Sequence, residues 1–436
     1  MMSDDREPQT VGPASVRDRL GMMLAVARSA MDPRRWLIGG LAALMVAAGG
    51  VVLDNWSGGD HQPAEWPWDI GLGTLDGDRK ANSLLSEVNG QPIATAVRVA
   101  WNPELAGRPL RDVMEPAVRI VGVGESWSET AVNWSRFLLA VIVWSLAGVI
   151  LVRMTAADVV RGESVSLAQA VGFGFRHSGS LLSASLISVS CFGALWGLAV
   201  LGGLLAKIPS VGPLVVSLLW FIPLVLGLLM TIVALGFVVG WPLMVATIGV
   251  EDSDGFDGFT HAHGFLTDRP LLLASHAVIA TIVASVAACL GWLALSLTIW
   301  FSGSAVSSGL DAFDSPSDLQ VVSSSLSEAS LAGGGEVPAR LVAAESGQPA
   351  DIPFSSTFLV FWVRLAHLLF VGYVGGVFWG VVTGLYLVVR DSADGIPMTQ
   401  MWLESDDTPP ESVGEDVIPE PVEDPDPGVS ADDDPA

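Results

Sequence analysis

The chain has 436 residues, of which 51% are hydrophobic and only 15% charged, the balance of a membrane protein rather than a soluble one. Its 46 acidic residues against 21 basic ones, a formal net charge of −25, exclude a generic nucleic-acid binder, which needs a basic surface. Two cysteines, Cys191 and Cys289, both inside apolar runs, supply neither a disulfide framework nor a thiolate metal cluster.

Residues 1–35 form a cytoplasmic N-terminal segment in which Arg28, Arg34 and Arg35 precede the first apolar run. A bilayer crossing needs about 20 apolar residues. Such runs occur at 36–53, 133–154, 181–206, 213–249, 271–301 and 357–389, so six crossings is the simplest count. The expected fold is all-α: a polytopic transmembrane helical bundle with interfacial amphipathic helices and disordered tails. The lead is long for a signal peptide, so the first run is expected to be an uncleaved anchor.

Residues 54–132 form an extracytoplasmic segment containing "RPLRDVMEPAVRIV". Leu110, Val113, Met114, Ala117, Val118 and Val121 follow helical spacing, with Pro109 suited to a first turn. This predicts an amphipathic helix lying on the membrane or on the spans. After the second run, residues 155–180 form a cytoplasmic amphipathic segment, and "VVRGESVSLAQAVGFGFRHSGSLL" spans Val159–Leu182. The fourth run would measure about 55 Å as one helix, too long for one upright crossing. One tilted helix kinked at Pro223 or Pro242 is expected, two short crossings being the alternative.

Residues 250–270 form a second cytoplasmic amphipathic segment. Within it "DSDGFDGFTHAH" imitates a calcium loop, but Asp257 stands where the turn glycine belongs and His263 where the bidentate glutamate belongs. Capping by Ser253 or Asp254 accounts for the acids. His261 and His263, two apart, point away from each other on a helix, and no third ligand stands nearby, so no metal is expected. Residues 302–356, rich in serine, alanine and glycine, read as an extracytoplasmic flexible loop. Residues 390–436 form an acidic, proline-rich cytoplasmic tail that cannot bury enough apolar surface to fold.

Arginines near the span ends set the orientation. Arg153, Arg161 and Arg176 follow the second span, Arg269 precedes the fifth and Arg390 closes the sixth. With six spans these share one side, placing both termini in the cytoplasm of a bacterial inner membrane. Arg136 and Lys207 fall on the other side. Three inward exits, "VVRGESVS", "GVEDSDGF" and "VVRDSADG", resemble one another, and internal duplication and shared capping chemistry both account for them.

"EDSDGFDGF" with the following "RP", and "RDSADG" after the last span, resemble uncharacterised multi-spanning bacterial membrane proteins. The resemblance covers roughly residues 155–275 and 385–397. It implies the membrane topology and transfers no activity, substrate or catalytic residue.

Ionisable residues inside spans are functional candidates by default, and here they are Arg364, His367 and His276. Arg364 and His276 can snorkel to opposite surfaces, whereas His367 sits one turn deeper than Arg364 on the same face. Glycine recurs every fourth residue at Gly372, Gly376, Gly380 and Gly384, a groove that lets another helix approach with its backbone close. Packing within the protomer and a face for a second copy or another membrane protein are the two readings of that row. Two "NWS" triplets, at Asn55 and Asn133, fit a glycosylation sequon beside the membrane. No phosphate-binding, zinc-protease or serine-hydrolase signature occurs, so no catalytic residue or cofactor is expected. The expected function is a non-enzymatic scaffold or assembly partner in contact with the lipid bilayer. The alternative is a permease or channel component with a polar site near Arg364 and His367.

Overall fold

The computed structural model describes residues 16–57, 66–68, 103–121, 127–205, 207–208, 212–311 and 354–398. Among them no strand occurs. In chain order the helices are α1 (Val16–Ser29), α2 (Pro33–Ser57), α3 (Pro103–Ala106), α4 (Arg108–Val121) and α5 (Trp127–Ala156), which continues into a π-helical turn at Ala157–Arg161. There follow α6 (Leu167–Arg176), α7 (Ser178–Leu205), α8 (Gly212–Leu218), α9 (Phe221–Glu251), α10 (Gly255–Asp268), α11 (Pro270–Asp311) and α12 (Phe354–Ala393). Among the described residues, six segments are long and apolar enough to cross a membrane: Pro33–Ser57, Trp127–Arg161, Ser178–Leu205, Phe221–Glu251, Pro270–Ile299 and Phe361–Ala393. The protein is an all-α polytopic membrane protein.

Local chemistry explains where these helices begin. Asp32 Oδ1 accepts the Arg34 backbone N–H at 3.0 Å, and Pro33 takes the first helical position of α2, where its missing N–H is not needed. Burial pushes the Asp32 carboxyl up, but hydrogen bonds from the Arg34 side chain and backbone, with the charges of Arg34 and Arg35, bring it below its ordinary value. Ser166 and Gln169 form a capping box at α6. At α10, Asp254 Oδ1 accepts from the Phe256 and Asp257 N–H groups at 2.9 Å each.

The three similar exits share a backbone device. The π turn after α5 ends at Gly162 (φ 68°), α9 ends at Asp252 (φ 57°), and Gly395 (φ 69°) follows α12. These are the left-handed residues among those described, and each turns the chain sharply at the end of a long helix. Asp252 is the one that is not glycine, a conformation that aspartate tolerates better than most.

Two expectations change. The run at 213–249 is not one helix, because a turn at Leu219 and Trp220 separates α8 from α9. Pro223 then falls in the first turn of α9, where a helix tolerates proline best, rather than kinking a longer helix. Pro242 lies inside α9. Residues 302–311, expected to belong to the flexible loop, are helical and form the end of α11. Most of the expected loop, the N-terminal residues 1–15, residues 69–102 and the acidic tail beyond 398 lie outside the described residues.

The core is built around α5 and α12. Their apolar windows are 78% and 83% buried, against 17% for α7 and 11% for α9. Trp144, Trp241 and Trp379 are fully buried, and the last two meet edge to face at 5.5 Å. Trp241 Nε1 donates to Ser145 Oγ at 3.0 Å, so its polar atom is satisfied within the core.

The glycine row on α12 faces α1 and α2. A Cβ at Gly372 would stand 1.9 Å from the Trp36 carbonyl oxygen and 2.6 Å from the Gly40 nitrogen. Gly39 of α2 is equally tight, its Cβ position lying 2.5 Å from the Gly372 carbonyl oxygen. The two backbones therefore touch at this crossing. Further along, Gly376 has 3.6 Å to Arg35 Cβ, Gly380 has 3.2 Å to the Val26 carbonyl oxygen, and Gly384 has 3.1 Å to a Val26 methyl. By contrast Gly193, Gly197, Gly202 and Gly203 on α7 have nothing within 4 Å.

Candidate functional site

Residues at spacing four, three and four share one side of a helix, and on α4 that side carries Arg108, Asp112, Glu115 and Arg119. The expected amphipathic helix is present, but its charged side turns toward α2 and α5. Val113, Pro109 and Pro116 are buried, whereas Val118 is 72% and Val121 45% exposed. A helix set among membrane spans can expose valine outward without penalty, while its charges must find partners inward.

Those charges line a pocket of about 130 Å³ between α2, α4 and α5. Ala43, Ala47 and Gly50 of α2 form its apolar wall, and Asn133, Arg136 and Leu139 of α5 close it opposite α4. Small residues on α2 make the space; larger ones would fill it. Asp112 is held from three directions. Its Oδ2 accepts from Trp144 Nε1 at 3.1 Å and lies 3.7 Å from Arg108 Nε, while its Oδ1 lies 3.6 Å from Arg111. Arg119 pairs with Glu115 at 2.6 Å, and Arg136 pairs with Asp54. Arg108 also donates to the Pro67 carbonyl at 3.4 Å. Trp144 lies about 25 Å along α5 from its first residue, so the pocket's ionic lining reaches deep beside that helix. Guanidinium groups stay charged and present planar forks suited to carboxylate and phosphate.

A second polar cluster ties the opposite ends of α9, α10 and α12 together. Tyr386 donates to Glu251 Oε1 at 2.5 Å, Arg390 donates to the same oxygen at 3.2 Å, and His261 Nδ1 lies 3.8 Å from Oε2. Burial, countered by the His261 charge and then aided by Glu251, raises the carboxyl of Asp394 above its ordinary value. Nearby exits are pinned too. His177 Nε2 lies 2.6 Å from Asp252, and the buried Arg153 donates to the Gly249 carbonyl while covering Phe173 at 4.4 Å. Glu251, Tyr386, Arg390, His177 and Asp252 each have a partner within the fold, the pattern of a structural network.

The residues singled out in the spans have separate surroundings. Arg364 stacks on Trp68 at 5.3 Å. His367 is 1% exposed, donates from Nδ1 to the Val363 carbonyl at 2.8 Å and packs against Trp292. His276 bonds the Leu272 carbonyl at 2.9 Å. His263 bonds the Phe259 carbonyl and lies beside Gly236, pointing away from His261. Asn133, one of the two sequon residues, is buried in the pocket. Among the described residues no three His, Cys, Asp or Glu side chains gather as metal ligands.

Sequence reasoning missed the pocket because its charges lie on a short helix outside the apolar runs. Two signals were available: the four-three-four spacing on α4, and Arg136 inside the second run on the side poor in arginine. Comparison with protein-family models, with curated proteins and with solved structures returns no match.

Proposed function

We propose that the protein is a non-enzymatic scaffold or assembly partner of a bacterial inner membrane, with both termini cytoplasmic. The observation that carries this reading is the set of open glycines on α7, of which Gly193 and Gly197, one turn apart, share one side. Gly193, Gly197, Gly202 and Gly203 meet nothing within 4 Å, on a span whose apolar window is only 17% buried. Glycine gives lipid little to hold and weakens a helix, but it admits the backbone of another helix. Exposed Leu198, Leu201 and Leu205 on the same helix add apolar contact surface for such a partner.

A permease or channel component is the second reading, favoured by the polar pocket beside α4. Against it, Trp144, Trp241 and Trp379 fill the bundle centre, where a permeation path needs polar lining.

Cross-linking tests the first reading. In a background with Cys191 and Cys289 replaced by alanine, Gly197→Cys should form an oxidative or bifunctional cross-link in native membranes. Absence of any adduct, together with a monomer mass in mild detergent, would refute assembly through α7. Solute flux in reconstituted vesicles would then favour the permease reading.

A further inference from the structure

We propose that the outer side of α1 is seated in the membrane surface where α2 begins, with Arg17 and Arg28 holding anionic phospholipid headgroups. The inference does not rest on assembly through α7. One side of α1 is already committed to the bundle. Met23, Val26 and Ala30 are buried, and a Val26 methyl and the Met23 sulfur lie 3.1 and 3.2 Å from the Cβ position of Gly384 on α12. Arg19 pairs with Asp391 at 3.9 Å. The end of α1 is fixed as well. The Met31 and Asp32 N–H groups donate to the Arg28 and Ser29 carbonyls, and only Ala30, Met31 and Asp32 separate α1 from the span that starts at Pro33. A helix joined so closely to one span and packed on another lies where the chain enters the bilayer.

A second side of α1 is apolar and uncovered. Leu20, Leu24 and Met31 are 49%, 57% and 56% exposed, and residues four and seven apart share a side of a helix. They are followed on α2 by Leu37, Leu41 and Met45, four apart and more than half exposed, on a segment apolar enough to span. One lipid surface covers both sets. At about 3.6 residues per turn, Arg17 and Arg28 fall within about 60° of the α1 stripe, on its flank away from Met23 and Val26. Both are exposed, and neither forms an ion pair among the described residues, whereas Arg34 is held by Asp32 at 2.7 Å. An apolar stripe flanked by cations is the pattern of an interfacial helix: the arginine stems follow the apolar surface and the guanidinium forks reach lipid phosphates. A second copy would cover the leucines, but residues 20–31 contain no acid to offer the arginines. The acidic residues beyond Arg390 match the charge but bring few apolar residues to the stripe.

The test uses the full chain in nanodiscs, with Cys191 and Cys289 replaced by alanine and a nitroxide attached to Leu24→Cys. In bilayers containing phosphatidylglycerol, oxygen, which concentrates in lipid, should relax this label more than a neutral water-soluble nickel chelate does. A label on Asp18→Cys, on the polar side, should show the reverse. Replacing phosphatidylglycerol by phosphatidylcholine should lower the preference for oxygen at residue 24 several-fold, and about 0.5 M salt should act likewise through screening. Each cation near an anionic surface is worth about fivefold in binding, so Arg17→Gln with Arg28→Gln should abolish the response to phosphatidylglycerol, while Arg17→Lys with Arg28→Lys should keep it. A label at residue 24 open to the chelate places the stripe in water and overturns the proposal. A label closed to both reagents places it against protein, a second copy or the acidic tail, and overturns it too. So does a label in lipid that ignores phosphatidylglycerol, or a response that the glutamine variant leaves intact.

Discussion

Replacing Gly372 by alanine adds one methyl group where two backbones already touch. The new Cβ would lie 1.9 Å from the Trp36 carbonyl oxygen and 2.6 Å from the Gly40 nitrogen. Ordinary contact begins near 3.4 Å, so α2 and α12 must part by about 1.5 Å at the crossing. Neither obstacle is a flexible side-chain end that can rotate away. Overpacking of this kind costs about 1–3 kcal/mol, and the rigid obstacle places Gly372→Ala at the upper end. Gly376→Ala, one turn on, meets only Arg35 Cβ at 3.6 Å and also gains helix propensity, worth up to about 1 kcal/mol. It should be neutral or stabilising. Thermal unfolding in detergent, followed by tryptophan fluorescence, should show a drop of several degrees for Gly372→Ala and none for Gly376→Ala. Gly39→Ala intrudes on the same crossing, so the double variant with Gly372→Ala should lose less than the sum of the singles. A wild-type melting temperature for Gly372→Ala, or equal effects at 372 and 376, would refute close backbone contact between these helices.

Trp144→Phe should cost about 1 kcal/mol more in thermal unfolding than Trp241→Phe, because both remove ring volume from a fully buried site but the first loses a donor to the Asp112 carboxylate and the second a donor to a hydroxyl. Equal losses would argue against the charged contact. Asp32→Asn and Asp394→Asn should have opposite pH signatures. The Asp32 carboxyl sits below its ordinary value of 3.8 when folded, so its charge contributes stability above that pH and loses it on acidification. The deficit of Asp32→Asn at pH 7 should therefore close as pH falls below about 3.8. The Asp394 carboxyl is raised, so ionising it costs stability at neutral pH, and Asp394→Asn should melt higher at pH 7, the gain vanishing below its ordinary value of 3.8. A gap that pH does not change, in either variant, would show that charge is not its origin. Cysteine at Ser57 should react with an impermeant maleimide on intact cells, while cysteine at Ser253 should react only after permeabilisation. The reverse pattern would invert the proposed topology.

Short-range patterns were legible without coordinates. Six runs of apolar residues, each long enough for a crossing, predict the helical bundle from length alone. Asp32 before Pro33 marks the start of α2, and the resemblance of the three exits anticipates a common turn, realised at Gly162, Asp252 and Gly395. The four-residue spacing of Gly372 to Gly384 was visible too. That Gly372 meets backbone while Gly376 has room depends on where α2 crosses, which no spacing encodes.

The orientation of α4 belongs to the tertiary structure. Its period separated apolar from charged residues, but left open whether the apolar side meets the membrane or the spans. Set against α2 and α5, the helix turns Arg108, Asp112 and Glu115 to the pocket and leaves Val118 exposed, while Val113 is buried. Likewise Arg364 and His367, one turn apart on one face, go to different aromatic partners because Trp68 and Trp292 arrive from remote parts of the chain. The sequence by itself determined which segments are helical and long enough to span, because those properties depend on neighbours within a few turns. Which charges meet, which glycines are filled and which remain open were decided only by packing, because each depends on what the other helices and the surrounding lipid present to that face.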